Sequence, residues 1–135
     1  MAVQLSVAVR NARLDAIETT IGASAVLKIR TGAQPATVAT ADSGTVLATC
    51  ALPSDYFTAA AAGVLVKLGT WEDTSADADG TAAHWRLYAT DGTTAHAQGT
   101  VTATGGGGDM TVDNVVFATA QQFTITAFSL TDGNA

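Results

Sequence analysis

The chain has 135 residues, a length that suits one domain of ordinary size whose core needs no metal or disulfide staple. Only 13% of residues are charged, and six Lys plus Arg face twelve Asp plus Glu, for a formal net charge of -6. That balance argues against nucleic acid, which needs a basic footprint, and against an anionic membrane surface, while 50 Ala and Thr residues suit a Thr-rich β fold better than a disordered chain.

Residues 3–21 are predicted as a helix. Val3, Val7, Leu14, Ile17 and Ile21 repeat at a 4-7-3-4 spacing, a narrow apolar seam with Arg10 at the missing step. Leu5, Val9, Ala12 and Ala16 form a second stripe, and Gly22 is well placed as a stop. Two readings stay open: the helix lies on its own domain, or one stripe faces the domain and the other a second chain.

Beyond Gly22 the period changes to two. Ser24–Thr31 sets Ala25, Leu27 and Ile29 against Val26, Lys28 and Arg30, which predicts a strand. Residues 32–44 read as a loop. Thr45–Leu52 is a second strand with Val46, Ala48, Cys50 and Leu52 on one face; Tyr56–Ala62 reads as a helical turn and Val64–Leu68 as a short strand. Glu72–Gly80 is an acidic loop. The hairpin Thr81–Ala103 follows, and a three-residue loop Thr90-Asp91-Gly92 pairs Leu87 with Ala95 and Trp85 with Ala97, leaving Arg86 opposite His96 and His84 opposite Gln98 on the other face. Met110–Ala118 and Phe123–Leu130 are further strands, the last changing face near Ala127. About seven strands after one helix predict a mainly β fold, an antiparallel β-sandwich of jelly-roll type. Residues 1–22 form an N-terminal helical arm and residues 23–135 a single β domain.

One cysteine, Cys50, admits no internal disulfide. No basic segment precedes an apolar stretch at the N-terminus, so no secretory leader is expected, and Ala59–Val66 falls far short of the roughly 20 residues that span a bilayer. A soluble chain made in a cytoplasm is the expectation. Residues 1–30 carry a net charge of +2 and the remainder -8, so the basic end suits an acidic partner.

Catalytic and metal motifs fail on inspection. With Gly80 at position 6 of a calcium loop, Ser75, Asp77 and Asp79 fall at positions 1, 3 and 5, but position 12 is Arg86 where a bidentate carboxylate is needed, so an EF-hand is rejected, while a looser calcium site at Asp73, Asp77 and Asp79 stays open beside a plain solvated loop. Gly105–Gly108 is followed by Asp109-Met110 rather than Lys-Ser/Thr, so it is no phosphate cradle. Two histidines without a third ligand, and one cysteine in a strand, give neither metal site nor nucleophile. No acid, base and oxyanion donors converge, so neither catalysis nor a cofactor is expected.

The segments Ala8–Gly22 (AVRNARLDAIETTIG), Leu27–Gly32 (LKIRTG), Leu52–Asp55 (LPSD), Gly80–Thr94 (GTAAHWRLYATDGTT) and Thr102–Phe117 (TATGGGGDMTVDNVVF) resemble small virion structural proteins of tailed bacteriophages, in particular capsid decoration, or cement, proteins. The resemblance covers most of the chain. It implies a non-enzymatic homo-oligomer, trimer or dimer, that binds the major capsid protein on the head surface and stabilises the shell, with residues 1–32 as the anchor. Val3, Val7, Arg10, Arg13, Leu14, Ile17 and Ile21 would make the partner or oligomer contacts. Residues 1–21 would then be separable from a soluble body. The alternative within the same virion is a tail or fibre module that binds a host glycan, with an exposed aromatic cluster around Trp71 and Tyr56.

Overall fold

The structure is a computed structural model that describes residues 3–133, so the outer ends of the two predicted segments, at 1 and 135, lie outside the described residues. The chain is mainly β with one N-terminal helix and predominantly antiparallel pairing. Helix α1 spans Val7–Ile21. It starts four residues later than the apolar periodicity suggests because the Ser6 side chain accepts a hydrogen bond from Val9 N (3.2 Å) and caps it there. Gly22, at φ 92°, ends it.

Among the described residues eleven short strands follow: β1 (Val26–Arg30), β2 (Val46–Ala51), β3 (Val64–Val66), β4 (Trp71–Asp73), β5 (Gly80–Thr81), β6 (His84–Tyr88), β7 (Ala95–Ala103), β8 (Met110–Val112), β9 (Val116–Phe117), β10 (Phe123–Ile125) and β11 (Ser129–Thr131). Five of them form one sheet, in the order β2-β1-β6-β7-β8, curled into a half-barrel; the β7–β8 pair is parallel. The ribbons β10-β4, β11-β3 and β5-β9 complete the body.

The concave face carries Leu27, Ile29, Cys50, Trp85, Leu87, Val101, Met110 and Val112. Against it pack Tyr56, Phe57, Trp71 and Phe128, whose rings meet at centroid distances of 5.1 to 6.4 Å, with Trp85 edge-on to Phe128 at 5.4 Å. Such pairs add about 0.5–1.5 kcal/mol each beyond the area they bury.

Several local expectations are corrected. Tyr56–Ala62 is extended, not helical: Phe57 bridges to Lys67 and Ala61 to Val64 across a two-residue turn, with Ala62 at φ 52° and Gly63 at φ 76°, the left-handed pair that tight hairpins demand. Residues 72–80 hold strand structure at both ends. A register shift between Ile29 and Arg30 puts Leu47 in the core and leaves Val46 half-buried. Residues 123–130 are not one strand. The chain leaves β4 after Ile125 and joins β3 at Ser129, with Phe128 turned into the core between them. Phase change near Ala127 is this handover.

The β6–β7 hairpin keeps its apolar residues on one face but is two residues out of the expected register. Leu87 pairs with Ala97 and Trp85 with Gly99, while Arg86 faces Gln98 and His84 faces Thr100. The turn is longer because the Asp91 carboxylate accepts from the backbone N–H of Thr93 and Thr94 (2.9 Å each) and from the Thr94 hydroxyl, and a bulge follows at His96. Those bonds hold the Asp91 carboxyl well below the usual carboxylate range, the Thr94 hydroxyl contributing most.

The corrected register explains Gly99. A Cβ there would lie 2.8 Å from Cε2, Cζ2 and Nε1 of the Trp85 indole, which rests on the bare backbone. Gly99→Ala is therefore expected to lose about 1–3 kcal/mol by overpacking, read as a lower urea midpoint at unchanged slope.

Candidate interaction surface

Helix α1 is docked on the body through hydrogen bonds as well as apolar contact. Asn11, Asp15 and Glu18 recur at helical spacing on one face, and each presents a side-chain oxygen to a backbone N–H of the extended segment 56–63. Asn11 Oδ1 accepts from Gly63 N (2.8 Å), Asp15 Oδ1 from Ala60 N (2.7 Å) and Glu18 Oε1 from Tyr56 N (2.7 Å). The Tyr56 hydroxyl donates to the Gly22 carbonyl (3.1 Å), closing the C-terminal end. Burial, then the nearby Glu18 carboxylate, push the Tyr56 hydroxyl up to about 12.

The seven expected contact residues divide. Leu14 and Ile21 are buried in the core of the chain itself, and Ile17 packs against that core half-buried. Arg10 is half-buried and donates from Nη1 to the Asp132 carbonyl (3.1 Å). Arg13 is exposed and pairs through Nε with Asp132 Oδ2 at 3.3 Å. Val3 and Val7 point to solvent, 82% and 48% exposed, and Val9 of the second stripe joins them at 46%. The seam is thus split. Its C-terminal half is spent on the chain's own core, and its N-terminal half is open. Beside it, Arg13, Ala16, Ile17, Thr20, Ile21 and His96 line a shallow depression of about 300 Å³ between helix and hairpin.

Other sequence candidates resolve as parts of the fold. Tyr56 and Trp71, the aromatic cluster required by glycan binding, are 0% and 1% exposed, so they offer no stacking surface. The acidic residues of 72–80 accept internal hydrogen bonds: Asp73 from Thr49 N (2.8 Å), Asp77 from the Thr49 hydroxyl (2.7 Å), and Asp79 from Thr119 N (2.6 Å). Among the described residues no group of three or more His, Cys, Asp or Glu is placed to hold a metal ion. Cys50 is buried, its thiol pushed up to about 12 by burial and then by Asp73, Asp77 and Glu72, which is the reverse of nucleophile activation. No helix of the described residues is long and apolar enough to cross a membrane.

Sequence reasoning missed a polar cluster on the convex face of the sheet. Arg30 Nη2 donates to Asp42 Oδ2 (2.8 Å), Arg86 Nη1 to Asp42 Oδ1, and the Tyr88 hydroxyl to the same oxygen (2.8 Å). Arg86 is 1% exposed and donates further to the carbonyls of Thr40 (3.1 Å) and Val38. Burial pushes the Asp42 carboxyl up, but the Tyr88 hydroxyl and the two guanidiniums outweigh it and hold the group below its ordinary value. Alternation placed Arg86 and Tyr88 on the face away from the core; nothing local indicated that a distant loop covers them.

Comparison with known family models, characterised proteins and solved structures gave no match.

Glu18→Ala leaves the buried Tyr56 N–H without its acceptor, an expected loss of about 1–3 kcal/mol in urea denaturation.

Proposed function

We propose that this chain is a non-enzymatic capsid decoration protein of a tailed bacteriophage, made in the host cytoplasm and bound to the outer surface of the head. The observation that carries the reading is an exposed apolar patch: Val3 and Val7 of the seam and Val9 of the second stripe stand exposed at and before the first turn of a helix that is hydrogen-bonded to the body. A preorganised apolar patch loses little freedom on binding. Covering a valine contributes on the order of 1.5 kcal/mol, and repetition over many copies multiplies a modest contact by avidity. The resemblance of residues 8–22, 27–32, 52–55, 80–94 and 102–117 to phage virion proteins supports the same reading. The partners are the major capsid protein and sister copies of the chain in a dimer or trimer, and the finer architecture belongs to the proposal: half-barrel and ribbons act as the two layers of a jelly-roll-like sandwich around the aromatic core.

Removing residues 1–21 is not a clean test, because Leu14 and Ile21 are core residues. Val3→Glu with Val7→Glu changes only exposed positions. Quantitative mass spectrometry of separated heads and tails is expected to find hundreds of wild-type copies on heads, and a drop of about tenfold or more for the double variant, one lost 1.4 kcal/mol step, at unchanged urea midpoint. A wild-type chain confined to tails, or equal occupancy by the variant, overturns the reading.

A further inference from the structure

We propose that residues 32–44 form an acid-released flap, which proton uptake by His84 detaches from the convex face of the sheet while the core stays folded. The flap is attached by a set of polar contacts. Of its residues only Pro35 is buried. Its fastenings are Arg86 to Val38 and Thr40, Arg30 to Gly44 (3.4 Å), Gln98 Nε2 to the Pro35 carbonyl (2.7 Å), and His84 Nδ1 to the Gly32 carbonyl (2.7 Å). The flap carries one charge, Asp42, which already serves two guanidiniums and a phenol.

His84 is the group on which this arrangement turns. Its side chain is fully buried. A carbonyl only accepts, so Nδ1 holds a proton, and in the neutral ring Nε2 carries none. Nε2 is buried without a partner. A second proton would put a new N–H where no acceptor stands, and a third positive charge beside Arg30 and Arg86 with a single carboxylate to serve all three. The charged groups facing the ring are Arg30 on β1, Arg86 on β6 and Asp42 on the flap, while β7 opposite brings neutral Thr100 and Gln98. Lys28, across from Arg86, is occupied by the Gly92 carbonyl (2.9 Å).

Burial first, then Arg30 and Arg86, hold the His84 ring below its ordinary value of 6.5, against the pull of the Gly32 carbonyl and Asp42. The closed flap therefore binds a proton less readily than the open one. Closure is at full strength above about pH 6.5 and weakens as pH falls below it. Asp42, held below its ordinary 3.8, stays charged in that window.

NMR on the full chain tests this. Between about pH 7.5 and pH 5 the ring resonances of His84 and the amide resonances of 32–45 are expected to move at one midpoint, while the amides of β1 and β6 keep their exchange protection. In His84→Asn, whose side-chain amide still donates to Gly32 but takes no proton, the flap shifts are expected to vanish. Flap amides that stay fixed while the wild-type ring titrates, or that shift equally in the variant, overturn the proposal; should the variant not fold, the wild-type comparison alone decides.

Discussion

The structure depends on burying the central strand β6 from both sides. Every residue from His84 to Tyr88 is buried, yet their side chains alternate between apolar and polar. Trp85 and Leu87 reach the aromatic core, as alternation dictates. His84, Arg86 and Tyr88 face the other way, and a buried guanidinium is tolerated only when its donors are met. Residues 32–44 meet the Nη donors of Arg86 with two backbone carbonyls and one carboxylate, while its Nε is buried without a partner. The long β1–β2 connection is therefore a second cover for the sheet, and it specifies that face by hydrogen bonding where the first specifies its face by packing. A cover held in this way responds to charge in a manner that an apolar one does not, which ties the titration of one buried imidazole to the position of thirteen residues.

The same logic fixes the helix. Three side chains on one face supply acceptors to a segment of extended chain whose N–H groups would otherwise be stranded against it. Leu14, Ile17 and Ile21 supply the apolar component. The helix is thereby part of the body, and the large apolar side chains it leaves exposed are Val7 and Val9 of its first turn.

How much of this was legible in the sequence follows from the range of each interaction. The helix body, β1, β2 and the two faces of the hairpin were readable because the period of apolar residues reports burial directly. The helix start was misplaced because apolar spacing continues through Val3 while the Ser6 cap decides the boundary. The hairpin register was missed by two because Asp91 closes a longer turn with its own side chain. Residues 123–130 read as one strand because phase, not composition, marks the handover between two ribbons. The split of the seam among Val3, Val7, Leu14, Ile17 and Ile21 was left open at the sequence level, since identical apolar residues serve a core or a partner equally well. Asp42 was invisible as a site residue because its three partners lie 12 to 46 positions away.

The acidic excess also changes meaning once the fold is known. Asp15, Glu18, Asp73, Asp79, Asp91, Asp109 and Asp113 each accept a backbone N–H of this chain. In a fold of eleven short strands, much of the backbone lies outside sheet ladders and needs other acceptors. Carboxylates serve well here because charged acceptors make the stronger bonds, and small Ala and Thr neighbours let them approach the chain. For these residues the acidic excess is the means by which a loop-rich body satisfies its own amides.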